Sequence, residues 1–140
     1  MTTSERTTTL RSHFGADRHS TLSLGTLYFA LFNGDPLAAG VEPTSVGGYA
    51  RVAKANSAAT FGTIAAGATS ASNSGASGEI AWPALTALWS QSQVTHWAIF
   101  DNSTGGTMWY SGQLSSPIVP TGVGDIPRIP AGSFQINATG

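Results

Sequence analysis

Residues 101–106, DNSTGG, gather a carboxylate, an amide, two hydroxyl groups and two glycines within six positions. Oxygen atoms of these kinds coordinate calcium, and glycine-rich loops hold phosphate on their backbone N–H groups. A calcium loop needs more carboxylates than the one that Asp101 supplies, and a phosphate loop needs a lysine and a following helix. The stretch has no further carboxylate, no lysine and no helix signal after it, so we do not expect a cation or phosphate site here.

The same six residues have the composition of a tight turn between two strands. Aromatic-rich runs flank them, VTHWAIF at 94–100 and TMWYSGQL at 107–114. Asp and Asn side chains bond the backbone of their own turn, and paired glycines supply positive φ angles. We therefore predict that residues 101–106 form the tip of a β-hairpin.

Other residues with catalytic or metal-binding chemistry are isolated from one another. His13 and His19 stand six apart near the start of the chain, and His96 is alone in a strand-like run, so a zinc site would lack ligands. The sequence carries no nucleophile elbow, phosphate loop, dinucleotide fingerprint or zinc-protease motif. Asp101 could pair with Glu79 or with Asp125 as an acid and base, but a turn residue is the simpler interpretation. We predict no catalytic residue, no metal, no cofactor and no enzyme activity.

Four tryptophans, Trp82, Trp89, Trp97 and Trp109, raise the alternative of a carbohydrate site, because aromatic rings stack on sugars. All four fall in or beside strand-like runs, where large aromatic side chains usually fill a core or a subunit interface. We expect core or interface packing, with ligand stacking as the alternative, and we expect no small-molecule ligand.

Charged residues are scarce. They make up 9% of the 140 residues, against about 25% in ordinary soluble domains, while hydrophobic residues reach a usual 41%. Between Lys54 and Asp125 only Glu79 and Asp101 are charged at neutral pH. A neutral surface can lie against another protein without desolvating charges, so the composition favours a permanent assembly.

The composition also argues against several partners. A net charge of -1 without a cluster of Lys and Arg leaves nothing to neutralise a series of phosphates, so we expect no nucleic acid. No apolar run approaches the roughly 20 residues that span a bilayer, and the first residues lack the apolar core of a secretory signal. The absence of cysteine excludes disulfides and thiolate metal sites. We expect no membrane partner and synthesis in the cytoplasm.

The length suits a single domain with an additional arm. Residues 1–24 are mostly polar and show no period that would bury one face, so we predict an N-terminal arm over 1–24 and a β-sandwich domain over 25–140. A disordered tail and an arm that orders along a partner remain the two alternatives. Arg6, Arg11 and Arg18 are the candidate docking charges of the arm.

Short apolar runs separated by turn signals indicate the strands. TLYFALF at 26–32 is typical of a strand covered on both faces, with Leu27, Phe29 and Leu31 on one of them. YARVAKA at 49–55 alternates, and Arg51 is its most exposed-looking charge. Further strands are expected near 61–64, over 79–85 with a helical turn through 83–89 as an option, on both sides of the hairpin tip, and from about 133.

The remaining segments read as connections. The uncharged, low-complexity stretch 56–78 is expected to be a long surface loop beyond its strand near 61–64, either flexible or buried against a neighbouring subunit. Residues 116–125, rich in Pro and Gly, are expected to turn. Seven or so short strands without a long helix predict an all-β fold, an antiparallel β-sandwich or jelly roll.

The order of these motifs resembles a group of small virion proteins of tailed bacteriophages, labelled tail fibre or capsid decoration proteins. The resemblance rests on LYFALFNGDPLAAGVEPTSVGGYARV, GEIAWPAL, THWAIFDNSTGGTMWYSGQL and GDIPRIPAGSFQI, and covers about residues 26–137. It implies a β-rich, commonly oligomeric structural subunit without catalysis.

From the resemblance and the charge-poor surface we expect a non-enzymatic phage protein on the virion. Our first hypothesis is a capsid cement or decoration protein on the outer capsid surface, with the major capsid protein and further copies of this chain as partners in a homotrimer. The alternative is a tail fibre or tail-tip component that contacts host glycans, and a glycan hydrolase is the third hypothesis. Besides the three arm arginines, the candidate interface residues are Arg51, Trp89 and Trp97.

Overall fold

The computed structural model describes residues 25–64, 68 and 70–137, so the predicted arm lies outside the described residues. The described chain divides into two compact units. We call residues 27–53 and 80–128 the sheet unit, and the described residues among 25–26, 54–79 and 129–137 the ribbon unit. The strands of the described residues are β1 (Thr26–Phe32), β2 (Val52–Ala55), β3 (Ser70–Ser72), β4 (Ile80–Ala81), β5 (Val94–Phe100), β6 (Met108–Ile118), β7 (Arg128–Ile129) and β8 (Gln135–Asn137).

A four-stranded sheet in the order β2-β1-β5-β6 carries the candidate site. The central strands β1 and β5 are antiparallel, and Ala30 pairs with Ala98 in their register. Both faces of β1 are covered, as its continuous apolar run predicted: Leu27, Phe29 and Leu31 are buried on one face. The other face forms a separate cluster of Ala30, Phe32, Ala98 and Phe100 with Tyr28 and Met108 packed against it.

The strands β5 and β6 form the predicted hairpin around residues 101–106. Phe100 pairs with Met108 and Ile99 with Tyr110, so Trp109 is the extra residue of a β-bulge. Beyond the hairpin, β6 continues to Ile118, which corrects the expectation that the turn region begins at residue 116. Pro117 is compatible with this longer strand because β6 lies at the edge of the sheet.

The ribbon unit corrects the prediction of a strand near residues 61–64. The chain forms one turn of helix there, α1 (Ala58–Phe61), with Thr60 and Phe61 buried. Two alanines favour the helix, and Gly62 ends it with φ of 68° while its N–H bonds the carbonyl of Ala58. The strand of this stretch lies further on, where β3 pairs antiparallel with β8.

The low-complexity stretch 56–78, expected to be a long surface loop, contains a buried residue that holds it in place. Asn73 is fully buried and uses its whole amide: Nδ2 donates to the carbonyls of Gly78 and Pro130, and Oδ1 accepts from the N–H groups of Gly132 and Phe134. One neutral side chain therefore fastens residues 73–78 to residues 130–134.

The remaining elements are short. β4 and β7 form a two-stranded sheet, a 3-10 segment spans Val46–Gly48, and residues 83–89 contain no helix. Leu85 instead exchanges backbone hydrogen bonds with the turn before β7, donating to Asp125 and accepting from Gly124. The prediction of an all-β, antiparallel fold is confirmed. Among the described residues no helix has the length and apolar character needed to cross a membrane.

Candidate functional site

The hairpin tip, residues 101–106, is closed by two hydrogen bonds between its first residue, Asp101, and Thr107, which follows it. Asp101 and Thr107 face each other across the turn: the N–H of Asp101 donates to the Thr107 carbonyl, and the Thr107 N–H donates to Oδ1 of Asp101 at 2.8 Å. Gly105 and Gly106 have φ of 58° and 75°. A Cβ at position 106 would collide with the Asp101 carboxylate. Position 106 therefore favours glycine for two reasons, its positive φ and the lack of space for a side chain.

Arg51 holds the tip from outside the hairpin. Its Nη1 donates to the carbonyl of Asn102 at 3.0 Å and to that of Gly105 at 2.8 Å. Its Nε and Nη2 each donate at 2.9 Å to one oxygen of the Glu42 carboxylate. The Arg51 side chain is only 8% exposed, so the guanidinium is largely withdrawn from water. The planar fork of arginine suits this double task, because it binds a carboxylate with two nitrogens and still has a third for the carbonyls.

Tyr49 completes this network, and we call Glu42, Tyr49 and Arg51 the clamp. The Tyr49 hydroxyl donates to Oε1 of Glu42 at 2.8 Å and accepts from the N–H of Leu31 at 3.1 Å. Burial, and secondly the charge of Glu42, raise the pKa of the Tyr49 hydroxyl far above its ordinary value. The ring meets that of Trp89 edge-on at 5.1 Å between centroids. The clamp is therefore tied to the central strand β1 and to the core.

Aromatic rings support the guanidinium from below. The central carbon of Arg51 lies 3.7 Å from the ring centroid of Phe100, and Phe100 stacks on Phe32 at 6.2 Å between centroids. A cation over an aromatic face is stabilised further when water is excluded. Phe100 is the last residue of β5, so the stack begins where the hairpin tip begins.

The clamp is suited to holding a loop and not to acid-base catalysis. Both Glu42 oxygens accept from the guanidinium and one of them also accepts from the Tyr49 hydroxyl, so the carboxylate is committed to structural hydrogen bonds. The Tyr49 hydroxyl points into the same closed network. What the arrangement leaves facing solvent is the outer side of the hairpin tip, where residues 102–106 are exposed.

Trp109 lies two residues beyond Thr107, at the base of the tip. It is 40% exposed, whereas Trp82, Trp89 and Trp97 are buried. The bulge that contains it breaks the regular alternation of β6, and bulges re-aim side chains in this way. Of the predicted core or interface packing, the core part is therefore confirmed for Trp82, Trp89 and Trp97, and an interface role of Trp109 stays a prediction.

The structure places the predicted interface residues in different surroundings. Arg51 looked exposed in the sequence, but its guanidinium is engaged in the clamp. Trp89 and Trp97 are 5% and 6% exposed inside the sheet unit. That Arg51, Trp89 and Trp97 contact other proteins stays a prediction. The three arm arginines, Arg6, Arg11 and Arg18, lie outside the described residues.

Sequence reasoning did not single out Glu42 and Tyr49, although both lie in the stretch 27–52 that carries the family resemblance. One signal was available: in a chain with so few charges, Glu42 is the acidic residue nearest in sequence to Arg51 and therefore a natural candidate for its partner. His96 contacts the Thr95 hydroxyl, 2.8 Å from its Nδ1, and that hydroxyl accepts from the Gly34 N–H. Within the described part of the chain no three metal-ligating side chains cluster.

Together these features define an all-β protein of low charge whose polar network holds an exposed loop in place. The chain belongs to the family described as podophage GP4 fiber I protein gp80, whose model matches residues 12–137, and it is a structural protein of a phage virion. The expected resemblance to phage virion proteins is thereby confirmed. No curated protein matches the chain.

Proposed function

We propose that this protein is a non-enzymatic component of a fibre on the phage tail, with a role in contact with the host surface. The observation that carries the proposal is the family match over residues 12–137, because the description of that family names a podophage fibre protein. This was the alternative hypothesis from the sequence, and the family supports it better than capsid cement.

The site agrees with such a role. A fibre protein must present fixed surface features while its fold resists the environment outside the cell. The clamp holds an exposed turn through two backbone carbonyls, and the side chains of Asn102, Ser103 and Thr104 remain exposed on the outer side. Loops held on a rigid scaffold are where proteins usually carry recognition.

We propose no catalytic role for the hairpin tip or the clamp. The carboxylates of Glu42 and Asp101 are both engaged in hydrogen bonds that stabilise loops. Purified protein should therefore release no reducing sugar from polysaccharide of the host strain, and release that is abolished by Asp101→Ala would overturn this part of the proposal.

The experiment for the location uses purified virions. Antibody against the full chain, detected with gold particles by electron microscopy, should label the tail and its fibres. Quantitative mass spectrometry should find a few to a few dozen copies per particle. Gold distributed over the head, together with hundreds of copies, would show capsid cement instead and overturn the fibre proposal.

The oligomeric state is part of the same proposal. We propose a homotrimer, which closed cyclic symmetry allows and which a neutral surface accommodates without burying charge. Light scattering coupled to size-exclusion chromatography should give three times the chain mass of 14.3 kDa. A monomer at micromolar concentration would contradict it.

A further inference from the structure

We infer that the hairpin tip and Trp109 form a carbohydrate-binding surface for uncharged, hydroxyl-rich sugars of the host envelope. We call Asn102, Ser103, Thr104 and Trp109 the tip surface. The inference rests on the proposed fibre function and names the ligand class and the residues that would make the contact.

The chemistry of the tip surface matches that of a sugar. A pyranose has an apolar face of C–H groups and a rim of hydroxyls that donate and accept hydrogen bonds. Trp109 offers a large ring that is 40% exposed, and Asn102, Ser103 and Thr104 offer one amide and two hydroxyls on exposed positions of the same hairpin. An exposed amphipathic ring on the same hairpin as groups that both donate and accept provides for both features of the sugar.

The backbone of the tip is ordered before any ligand arrives. Arg51 bonds the carbonyls of Asn102 and Gly105, which bracket the exposed hydroxyls, and Asp101 bonds Thr107. Ordering a loop on binding costs free energy, so a loop that is already held in place lets more of the contact energy contribute to affinity.

The bulge is an independent observation at the same place. Trp109 is the extra residue between the pairs Phe100 with Met108 and Ile99 with Tyr110. Bulges are frequent beside binding sites because they direct one side chain out of the regular alternation. Here the redirected residue is the one exposed tryptophan among the described residues.

Charge selects the class of sugar. The carboxylate of Asp101 accepts from the Thr107 N–H, and the guanidinium of Arg51 is shared between Glu42 and the tip carbonyls. From residue 102 to residue 124 the sequence contains no Asp, Glu, Lys or Arg. The tip surface therefore has no group to neutralise an acidic sugar, which favours neutral residues of a polysaccharide.

The test uses the full chain and surface polysaccharide purified from a bacterial strain that the phage infects, with the neutral and acidic fractions tested separately. Isothermal titration calorimetry should detect binding to a neutral polysaccharide that changes little between low and physiological salt. Trp109→Ala should weaken this binding at least about tenfold, which corresponds to about 1.4 kcal/mol. Trp109→Phe keeps an aromatic face and should stay within about threefold of the parent protein.

Three further variants separate the tip surface from general effects. Asn102→Ala should weaken binding about threefold to tenfold by removing hydrogen bonds. Val123→Ala changes an exposed apolar side chain on another loop and should leave affinity unchanged. The melting temperature of each variant shows whether the fold is intact, and Trp109→Ala and Trp109→Phe should melt within a few degrees of each other.

Several results would overturn the inference. They are the absence of binding to either host polysaccharide, binding that Trp109→Ala and Asn102→Ala leave unchanged, and binding only to acidic polysaccharide with a steep salt dependence. If Trp109→Ala instead dissociates an oligomer, the tip surface belongs to a second copy of the chain. Gold labelling of fibres is measured separately, so the fibre function can stand while the sugar site fails.

Discussion

The sheet unit and the ribbon unit each use one polar side chain to hold a loop, but the two side chains differ in kind. Arg51 is charged, lies at the edge of the core and spends its hydrogen bonds on an ion pair and an exposed turn. Asn73 is neutral and fully buried, and its side-chain amide forms hydrogen bonds with backbone groups of the same unit. The comparison shows how burial decides which chemistry can hold a loop.

The reason is the cost of desolvation. A charged group deep inside a protein needs a partner of opposite charge and full hydrogen bonding, whereas an amide needs only hydrogen bonds. Four such bonds satisfy the Asn73 amide completely, so it can be buried in a chain that has few charges. Arg51 pairs with a carboxylate that is itself 23% exposed and therefore keeps part of its hydration.

The largest expected effect is at Asn73. Asn73→Asp places a carboxylate oxygen opposite the carbonyls of Gly78 and Pro130, and we expect a loss of about 4 kcal/mol in the free energy of unfolding at pH 7. Urea denaturation followed by circular dichroism measures it. The matched control is Asn102→Asp on the exposed tip, which should change stability by less than about 0.5 kcal/mol. Equal losses for both variants would refute the contrast between buried and exposed amides.

The next effect is at Arg51. Arg51→Ala removes both the ion pair and the two bonds to the tip, and we expect a loss of about 2 kcal/mol, reduced from the value for a fully buried pair because Glu42 keeps some water. Arg51→Lys keeps the charge without the planar fork and should lose about half as much. Hydrogen exchange of the Thr107 amide should quicken in both variants. Unchanged exchange would mean that Arg51 does not order the tip.

A smaller effect is expected at Tyr49, with a defined pH dependence. Tyr49→Phe leaves the Leu31 N–H without its acceptor and should cost about 1 to 2 kcal/mol near pH 7. Because the pKa of the hydroxyl is raised in the folded protein, ionisation above about pH 10 occurs first in the unfolded chain. The contribution of the Tyr49 hydroxyl to the free energy of unfolding should thus be constant below about pH 10. Above about pH 10 it should fall by up to about 1.4 kcal/mol per pH unit.

Denaturation curves from pH 8 to 11.5 test this sign. The parent protein should lose stability more steeply above pH 10 than Tyr49→Phe does. Tyr110, whose pKa is also raised by burial, keeps part of the slope in the variant. A variant as steep as the parent protein would contradict the role given to Tyr49.

The smallest effect distinguishes the two glycines of the tip. Both have positive φ, but a Cβ at position 105 meets no atom within 4 Å, whereas one at 106 collides with Asp101. Gly105→Asn should cost about 0.5 kcal/mol, since Asn tolerates this conformation. Gly106→Asn should cost clearly more because it displaces the carboxylate that caps the turn. Thermal denaturation of both variants checks the difference, and the reverse order would show that the turn relaxes.

Much of the sheet unit could be predicted from local pattern. The run 26–32 became β1 with both faces covered, the run 94–100 became β5, and DNSTGG became the tip between β5 and β6. These segments are strongly apolar and end in residues whose turn chemistry is unambiguous. The prediction for 56–78, a strand near 61–64 and then a long loop, was wrong. The Ala, Ser, Thr and Gly residues of this stretch have weak conformational preferences, so tertiary packing determined the one-turn helix and β3 that form there.

Some features of the candidate site likewise follow from the sequence, and others depend on the tertiary structure. The sequence by itself determined an all-β chain of low charge, the place of the hairpin tip and the need for glycine within it, because strand periodicity and φ angles are properties of neighbouring residues. Only the tertiary structure decided that Arg51 turns inward to Glu42 and the tip, that Asn73 is a buried fastener and that Trp109 is the tryptophan left at the surface. Those outcomes depend on which groups the fold brings within hydrogen-bonding distance and on how much water it leaves them, and neither can be read from spacing along the chain.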